Sequence, residues 1–188
     1  KYKTTVIHNF IEKEQTEHFE KENYIIEFGH LSKDKGTLTL LEVARRMPDT
    51  KFVFAGYGAA VEKIKCIQNA EFVGFKTGDE LKRLIGRAAI SVCPSEWYEN
   101  CPYSVMESQI LLTPVLGANI GGIPELINVG ETGELFVAGD ADSLEQKLRY
   151  MLENKDRLER YTKKCSNADF ETPQSYYQKL IAIYEGKN

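Results

Sequence analysis

The sequence predicts an α/β fold: a three-layer α/β/α arrangement around a mostly parallel sheet of about six strands, with helices closing the C-terminal end. Two observations predict it. Through residue 140, short apolar runs alternate with amphipathic segments, the pattern of strands joined by helical crossovers. Beyond that point the strand signal stops and only helical periodicity continues. At 188 residues the chain is long enough for one full core, and it is read as a single domain over 1–188.

Each element has its own signal. Tyr24 to Gly29 is a compact apolar run and reads as the first strand. Thr37 to Met47 then carries Leu38, Leu40, Leu41, Ala44 and Met47 at helical spacing. Lys51 to Gly56 is a second strand, Val61 to Ile67 a short helix, and Glu71 to Gly74 a third strand. Asp79 to Arg87 sets Leu81, Leu84, Ile85 and the following Ala88 on one helical face. Ala89 to Cys93 makes a fourth strand, Pro102 to Leu112 a helix, Pro114 to Gly117 a fifth strand, and Gly133 to Val137 a sixth. Asp142-Ser143-Leu144-Glu145 fits a capping box for a helix reaching Met151 and Leu152. Helices are expected over Lys155 to Cys165 and Pro173 to Tyr184.

Composition excludes several functions. The net charge of -4 arises from 28 acids and 24 bases with the signs interspersed, which leaves no electrostatic footprint for nucleic acid. No apolar run approaches the ~20 residues that cross a bilayer. The stretch from Lys1 to Phe10 lacks the apolar centre of a signal peptide, and the absence of an initiator Met marks the chain as an expected fragment. Cys66, Cys93, Cys101 and Cys165 are too irregularly spaced for a metal pair or a disulfide framework, so a reduced, cytoplasmic protein is expected.

The chemistry concentrates where strands end. Gly29-His30-Leu31-Ser32-Lys33-Asp34-Lys35-Gly36 joins a strand end, a basic loop and a helix start. Free backbone amides and the helix dipole both favour an anion there, and Lys35 could set an ammonium on a diphosphate. Glu99 and Glu107, with seven residues between them, bracket the start of the next helix. A carboxylate accepts two hydroxyl bonds at once, which suits the adjacent hydroxyls of a ribose or a sugar. The amides of Tyr103 and Ser104 form a helix N-terminus, and the Gly121-Gly122 turn, followed by Ile123-Pro124-Glu125, permits close backbone approach. Taken singly, each acid reads as a surface glutamate and Lys35 as a solvated turn residue.

Two signals are decoys. Gly56-Tyr57-Gly58 follows a strand, but the third glycine of a dinucleotide fingerprint is replaced by Val61. Asp140-Ala141-Asp142 spells a metal-binding triplet but precedes a helix, where capping is the simpler role. No metal and no cofactor are expected.

In combination these residues resemble the donor-nucleotide site of the retaining glycosyltransferases of the GT-B fold, family 4 type, also called glycosyl transferases group 1. The likeness runs from an entry strand at Val6-Ile7-His8-Asn9 to the closing aromatic helix. It implies that this chain is the Rossmann-like, donor-binding C-terminal half of a GT-B fold, with an N-terminal acceptor domain elsewhere. It implies a catalytic part for Glu99 and Lys35. Donor binding would involve His30, Lys35, Gly74, Glu99, Tyr103, Ser104, Glu107, Gly121, Gly122 and Glu125, with Glu107 on the ribose, Glu99 on the donor sugar and the Val73-Gly74-Phe75 backbone near the base. His30 departs from the family pattern, which has Arg there. An imidazole is charged only near or below pH ~6.5, unlike the permanently charged fork of Arg. Lys33 supplying that charge, a slower enzyme, or a different mode of donor binding are the alternatives.

The expected function is transfer of a hexosyl unit from a nucleoside diphosphate sugar, UDP- or GDP-linked, to a glycan, lipid or small-molecule acceptor. The fragment alone would be inactive. The full-length protein would be cytoplasmic, with peripheral association at the inner face of a membrane allowed. A non-catalytic nucleotide-binding module and a nucleotide-sugar epimerase of the same architecture are the rival readings.

Overall fold

The computed structural model describes residues 4–12 and 18–186. Residues 1–3, part of the stretch examined for a signal peptide, and residues 187–188 at the end of the expected domain lie outside the described residues. In chain order the elements are β1 (Tyr24–His30), α1 (Thr37–Arg46), β2 (Lys51–Tyr57), α2 (Val61–Ile64), β3 (Ala70–Gly74), α3 (Gly78–Arg87) and β4 (Ile90–Cys93). They continue as α4 (Tyr103–Ile110), β5 (Val115–Ala118), one 3-10 turn (Ile123–Leu126), β6 (Gly133–Phe136), α5 (Ala141–Leu152), α6 (Lys155–Cys165) and α7 (Pro173–Tyr184).

The six strands form one all-parallel sheet in the order β3-β2-β1-β4-β5-β6. A parallel sheet covered on both faces needs apolar side chains on both sides of each strand. Ile25 and Ile26 in β1, and Phe52, Val53 and Phe54 in β2, meet that need and are all buried. The larger core packs α1 and α5 through Leu40, Leu41, Val43, Leu144 and Leu148, with Tyr161 of α6. A smaller core packs Ile85 at the end of α3 against Tyr24, Ile26 and Val53. Fully burying one such aliphatic or aromatic side chain contributes roughly 1.5–3 kcal/mol.

The sheet order places a reversal between β1 and β4. Strands from β1 outward run one way through β2 and β3, and the chain then returns to add β4, β5 and β6 on the other side. Loops leaving β1 and β4 at their carboxyl ends therefore diverge and leave a crevice, the usual place for a ligand in open sheets of this kind.

Several boundaries differ from the sequence expectations. Residues 6–9 form no strand; the neighbouring Phe10 makes only an isolated bridge to Glu171, its ring 4.9 Å from that of Tyr176. Phe10 is thus tied to the residues just before α7 and to Tyr176 within it, while Asn9 donates to the Cys101 carbonyl. The helix expected from Pro102 begins at Tyr103, because Pro102 is still extended, with ψ at 122°. That helix stops at Ile110, and Leu112 turns left-handed with φ at 57°. The cap of α5 is Asp140, whose side chain accepts from the Ser143 amide; Asp142 lies inside the helix and pairs with Arg46 instead. The helix expected through Ile67 ends at Ile64. Gly56 and Gly58 owe their place to packing: an added Cβ would lie 1.9 Å from the Gly29 carbonyl oxygen and 2.2 Å from that of Leu31.

Candidate functional site

A cavity of about 470 Å³ opens at the crevice between β1 and β4. Its wall on one side is the end of β1 and the loop after it, with Glu27, His30 and Lys35. On the other side stand Cys93, Pro94 and Ser95 after β4, then Glu99 and the start of α4 with Tyr103, Ser104 and Glu107. Phe75 and Lys76, after β3, form a third edge. A larger groove of about 1010 Å³ lies near the amino ends of the strands, around Lys21, Thr50 and Ala89, and holds none of the residues singled out above.

Two loops are clamped together to build the site. The Glu96 amide donates to the Asp34 carbonyl, and Thr39 Oγ1 donates to Glu96 Oε1 at 2.6 Å. This clamp brings Lys35 to Glu99, whose Oε1 accepts from Lys35 Nζ at 2.5 Å and from Ser95 Oγ at 3.0 Å. An ammonium has three donors, so Lys35 keeps two for a ligand. Glu99 uses Oε1 for both bonds and keeps Oε2 for hydroxyls.

Above the pair lies the N-terminus of α4. No side chain caps it and its first turn holds no acid, so the amides of Tyr103 and Ser104 stand free to meet an anion. Glu107, one turn on, is half-buried, and desolvation pushes its carboxyl above the usual range. No side chain among the described residues donates to it, so a ligand hydroxyl would meet an unused acceptor.

Six of the residues expected from the sequence thus meet around one cavity: His30, Lys35, Glu99, Tyr103, Ser104 and Glu107. His30 is exposed and stacks against Tyr57 with ring centroids 5.3 Å apart, and Tyr57 meets the exposed Phe75 at 5.7 Å. Lys33 is exposed and does not line the cavity, whereas Lys76 does. Gly74 lies just outside the lining, before Phe75. Gly121 and Gly122 also lie outside it, packed on the backbone of Glu99 and Asn100, and the Gly122 amide donates to the Glu99 carbonyl at 2.7 Å. Glu125 points elsewhere: its Oε2 meets His8 Nε2 at 2.9 Å, beside a small pocket with Asn9 and Glu171.

One residue escaped the sequence reading. Glu27, midway along β1, is 4% exposed and lines the cavity floor. Its Oε1 accepts from Thr37 Oγ1 at 2.7 Å, and burial pushes its carboxyl up to about 8. The available signal was a lone acid inside the apolar run Tyr24-Ile25-Ile26-Glu27-Phe28.

Comparison with known proteins follows the same lines. Residues 9–167 match the family model described as glycosyl transferases group 1. A relative, the sulfoquinovosyl transferase SQD2 of Arabidopsis thaliana, is 32% identical over 141 residues, covering 72% of this chain and 28% of that protein. Among solved structures, a TarM mutant from S. aureus in complex with fondaparinux, alpha-GlcNAc-glycerol and UDP superposes with a TM-score of 0.83. The identity is 19%, over 96% of this chain and 39% of that one. The C-terminal domain of LpcC, a glycosyl transferase group 1 family protein from Francisella tularensis, has a TM-score of 0.68 at 19% identity, over 85% of this chain and 92% of that one. The chain spans 28% and 47% of the length of two curated relatives that it matches.

Proposed function

The chain belongs to the glycosyl transferases group 1 family, and on that premise we propose that it is the donor-binding half of a retaining glycosyltransferase. The parent protein transfers a hexosyl unit from a UDP- or GDP-sugar to a glycan, lipid or small-molecule acceptor. One observation carries this reading: Lys35, Glu99, Glu107 and the uncapped start of α4 converge on a single cavity at the sheet's reversal point.

Each group has a task in it. Lys35 and the amides of Tyr103 and Ser104 hold the diphosphate, and Glu107 accepts the ribose hydroxyls. Glu99, steadied by Lys35 and Ser95, meets the hydroxyls of the donor sugar. As the bond from sugar to phosphate breaks, negative charge grows on the leaving nucleotide. Donors already fixed where that charge develops lower the barrier without rearranging. Phe75 and Tyr57 offer apolar surface beside the base. Binding proceeds without a metal ion or further cofactor, since Lys35 and the helix N-terminus supply the positive potential.

The acceptor must be held in attack geometry against the donor, and that task falls to an N-terminal domain of the longer protein. No helix among the described residues is long and apolar enough to cross a membrane. A cytoplasmic setting, with the whole enzyme resting on the inner membrane face when its acceptor is a lipid, suits this reading.

The test is transfer of a labelled hexose by the full-length protein from UDP- and GDP-sugars, with and without a chelator. Chelator-resistant transfer is the expected result. Nucleotide binding without turnover points to a binding module, and a changed sugar epimer without acceptor points to an epimerase. A second expectation concerns the ribose. Glu107→Ala weakens nucleoside diphosphate binding by about 1.5–3 kcal/mol, the range for hydrogen bonds to a charged group. In that variant a 2′-deoxy analogue loses little more; full additivity of the two changes, measured by calorimetry, would remove Glu107 from the ribose.

A further inference from the structure

Glu27 is an acid on the floor of a cavity built for an anion. Its Oε1 is occupied by Thr37, but its Oε2 is buried without a hydrogen-bond partner among the described residues. A buried polar atom left unpaired is costly, and such atoms in folded proteins call for an explanation. The neighbouring positions Ile25 and Ile26 are filled by buried apolar side chains, so Glu27 is the lone acid in this stretch of β1.

The surroundings decide its charge state. Lys35 stands on the loop between β1 and α1, but its ammonium bonds Glu99 and makes no bond to Glu27, whose partner is Thr37. Cys93 of β4 and Glu107 of α4 line the same cavity; a thiol and a carboxyl are neutral or negative at any pH, so neither offers Glu27 a counter-charge, and burial disfavours the charged form of both. His30 of β1 itself, Lys76 after β3, and Glu99, Cys101 and Tyr103 on the far wall complete the titratable lining; His30 is turned onto Tyr57, Lys76 pairs with Glu80, and the last three carry no positive charge. Ala55 of β2 brings no charge. A carboxylate at this depth would face a diphosphate across a region of low dielectric, where repulsion between like charges is strong.

We propose that Glu27 is a positioning residue of the donor cavity: it must hold a proton for a nucleoside diphosphate to bind, and it thereby couples donor binding to pH. The inference rests on the donor-site reading above. In its neutral form Glu27 keeps the Thr37 hydroxyl bond at the start of α1, directly behind Lys35, and adds no charge to the floor. With a proton it also presents a donor on Oε2 rather than a bare anion. In its ionised form it opposes the phosphates that Lys35 and α4 attract.

The experiment measures UDP and GDP affinity by calorimetry from pH 7 to 9.5, with uridine and guanosine as controls. Over that range the terminal phosphate is already ionised, its proton leaving near pH ~6. Titration of the base or of Glu107 appears with nucleoside and nucleotide alike, so their difference isolates the diphosphate-specific part, and comparison with Glu27→Gln isolates the share that belongs to Glu27. The diphosphate-specific affinity is expected to fall about tenfold between pH 7 and 9, since a group titrating at about 8 is then mostly ionised. Glu27→Gln, which keeps the shape and a permanent donor, should hold its affinity across the range. Thr37→Val removes the hydroxyl that favours the charged form, so the loss should move to higher pH. Wild-type protein should also take up protons on binding UDP or GDP at pH 8.5, read from the heat in buffers of different ionisation enthalpy, and Glu27→Gln should not. Binding at pH 7 with the same pH profile in wild type and Glu27→Gln overturns this inference and leaves the donor site standing. Failure of both nucleotides to bind at pH 7 overturns the two together.

Discussion

Glu27→Gln is expected to stabilise the unliganded protein at neutral and alkaline pH, with the gap to wild type opening between pH about 4.5 and 8. In the unfolded chain the carboxyl titrates near its ordinary 4.5, whereas burial holds it near 8 in the folded protein. Below 4.5 the group is neutral in both states and costs nothing extra. As pH rises past that point the unfolded state ionises while the folded state does not, and stability drains away until the folded group ionises too. Glutamine has no such titration. Each unit of difference is worth 1.36 kcal/mol, so the gap above pH 8 is on the order of 2–5 kcal/mol. Urea unfolding of both proteins at pH 4.5, 6, 7.5 and 9 provides the measurement. Glu107, also raised by burial, contributes a slope of the same sign to each protein and cancels in the comparison. Parallel stability curves would show that Glu27 is not held neutral.

Gly122→Ala is expected to damage both stability and donor binding. A Cβ at Gly122 would lie 1.8 Å from the Asn100 carbonyl oxygen and 3.3 Å from that of Glu99. Neither atom belongs to a flexible side chain, so backbone must move. The preceding Gly121 has φ at 58° and would place its own Cβ 2.5 Å from the Glu99 carbonyl, so the turn has no slack on that side. Overpacking of this kind costs typically about 1–3 kcal/mol. The functional effect follows from what is pushed: the Gly122 amide holds the Glu99 carbonyl, and Glu99 is in turn bonded to Lys35 and Ser95. Displacing that loop should lower affinity for a UDP- or GDP-sugar at least about tenfold, equal to ~1.4 kcal/mol. Calorimetry well below the melting temperature separates this from unfolding. Unchanged affinity in a folded Gly122→Ala protein would mean that the turn does not set the position of Glu99.

The role of the glycine pair illustrates how far motif reading reaches. The sequence marks Gly121 and Gly122 as sites of close backbone approach, and approach does occur, onto the Glu99 loop. What a motif cannot say is which backbone comes close. Glu125 carries the same lesson: it follows the turn in sequence, yet its side chain faces His8, 117 residues away along the chain.

The order of strands and helices from β1 onward, the α/β class and the pair of acids on either side of the start of α4 were legible in the sequence by itself. Those features depend on periodicity and on residues a few positions apart, and local patterning records both. The tertiary structure alone decided that β1 and β4 are neighbours, and hence that Lys35 meets Glu99 across 64 residues and that the cavity forms where the sheet order reverses. It also decided that Glu27 lies beneath that cavity with Thr37 on one oxygen and nothing on the other. Burial and pairing of this kind arise from contacts between distant segments. A lone glutamate in an apolar strand looks the same in the sequence whether it reaches solvent or is sealed under a binding site. Only packing fixes its dielectric surroundings, and with them its charge.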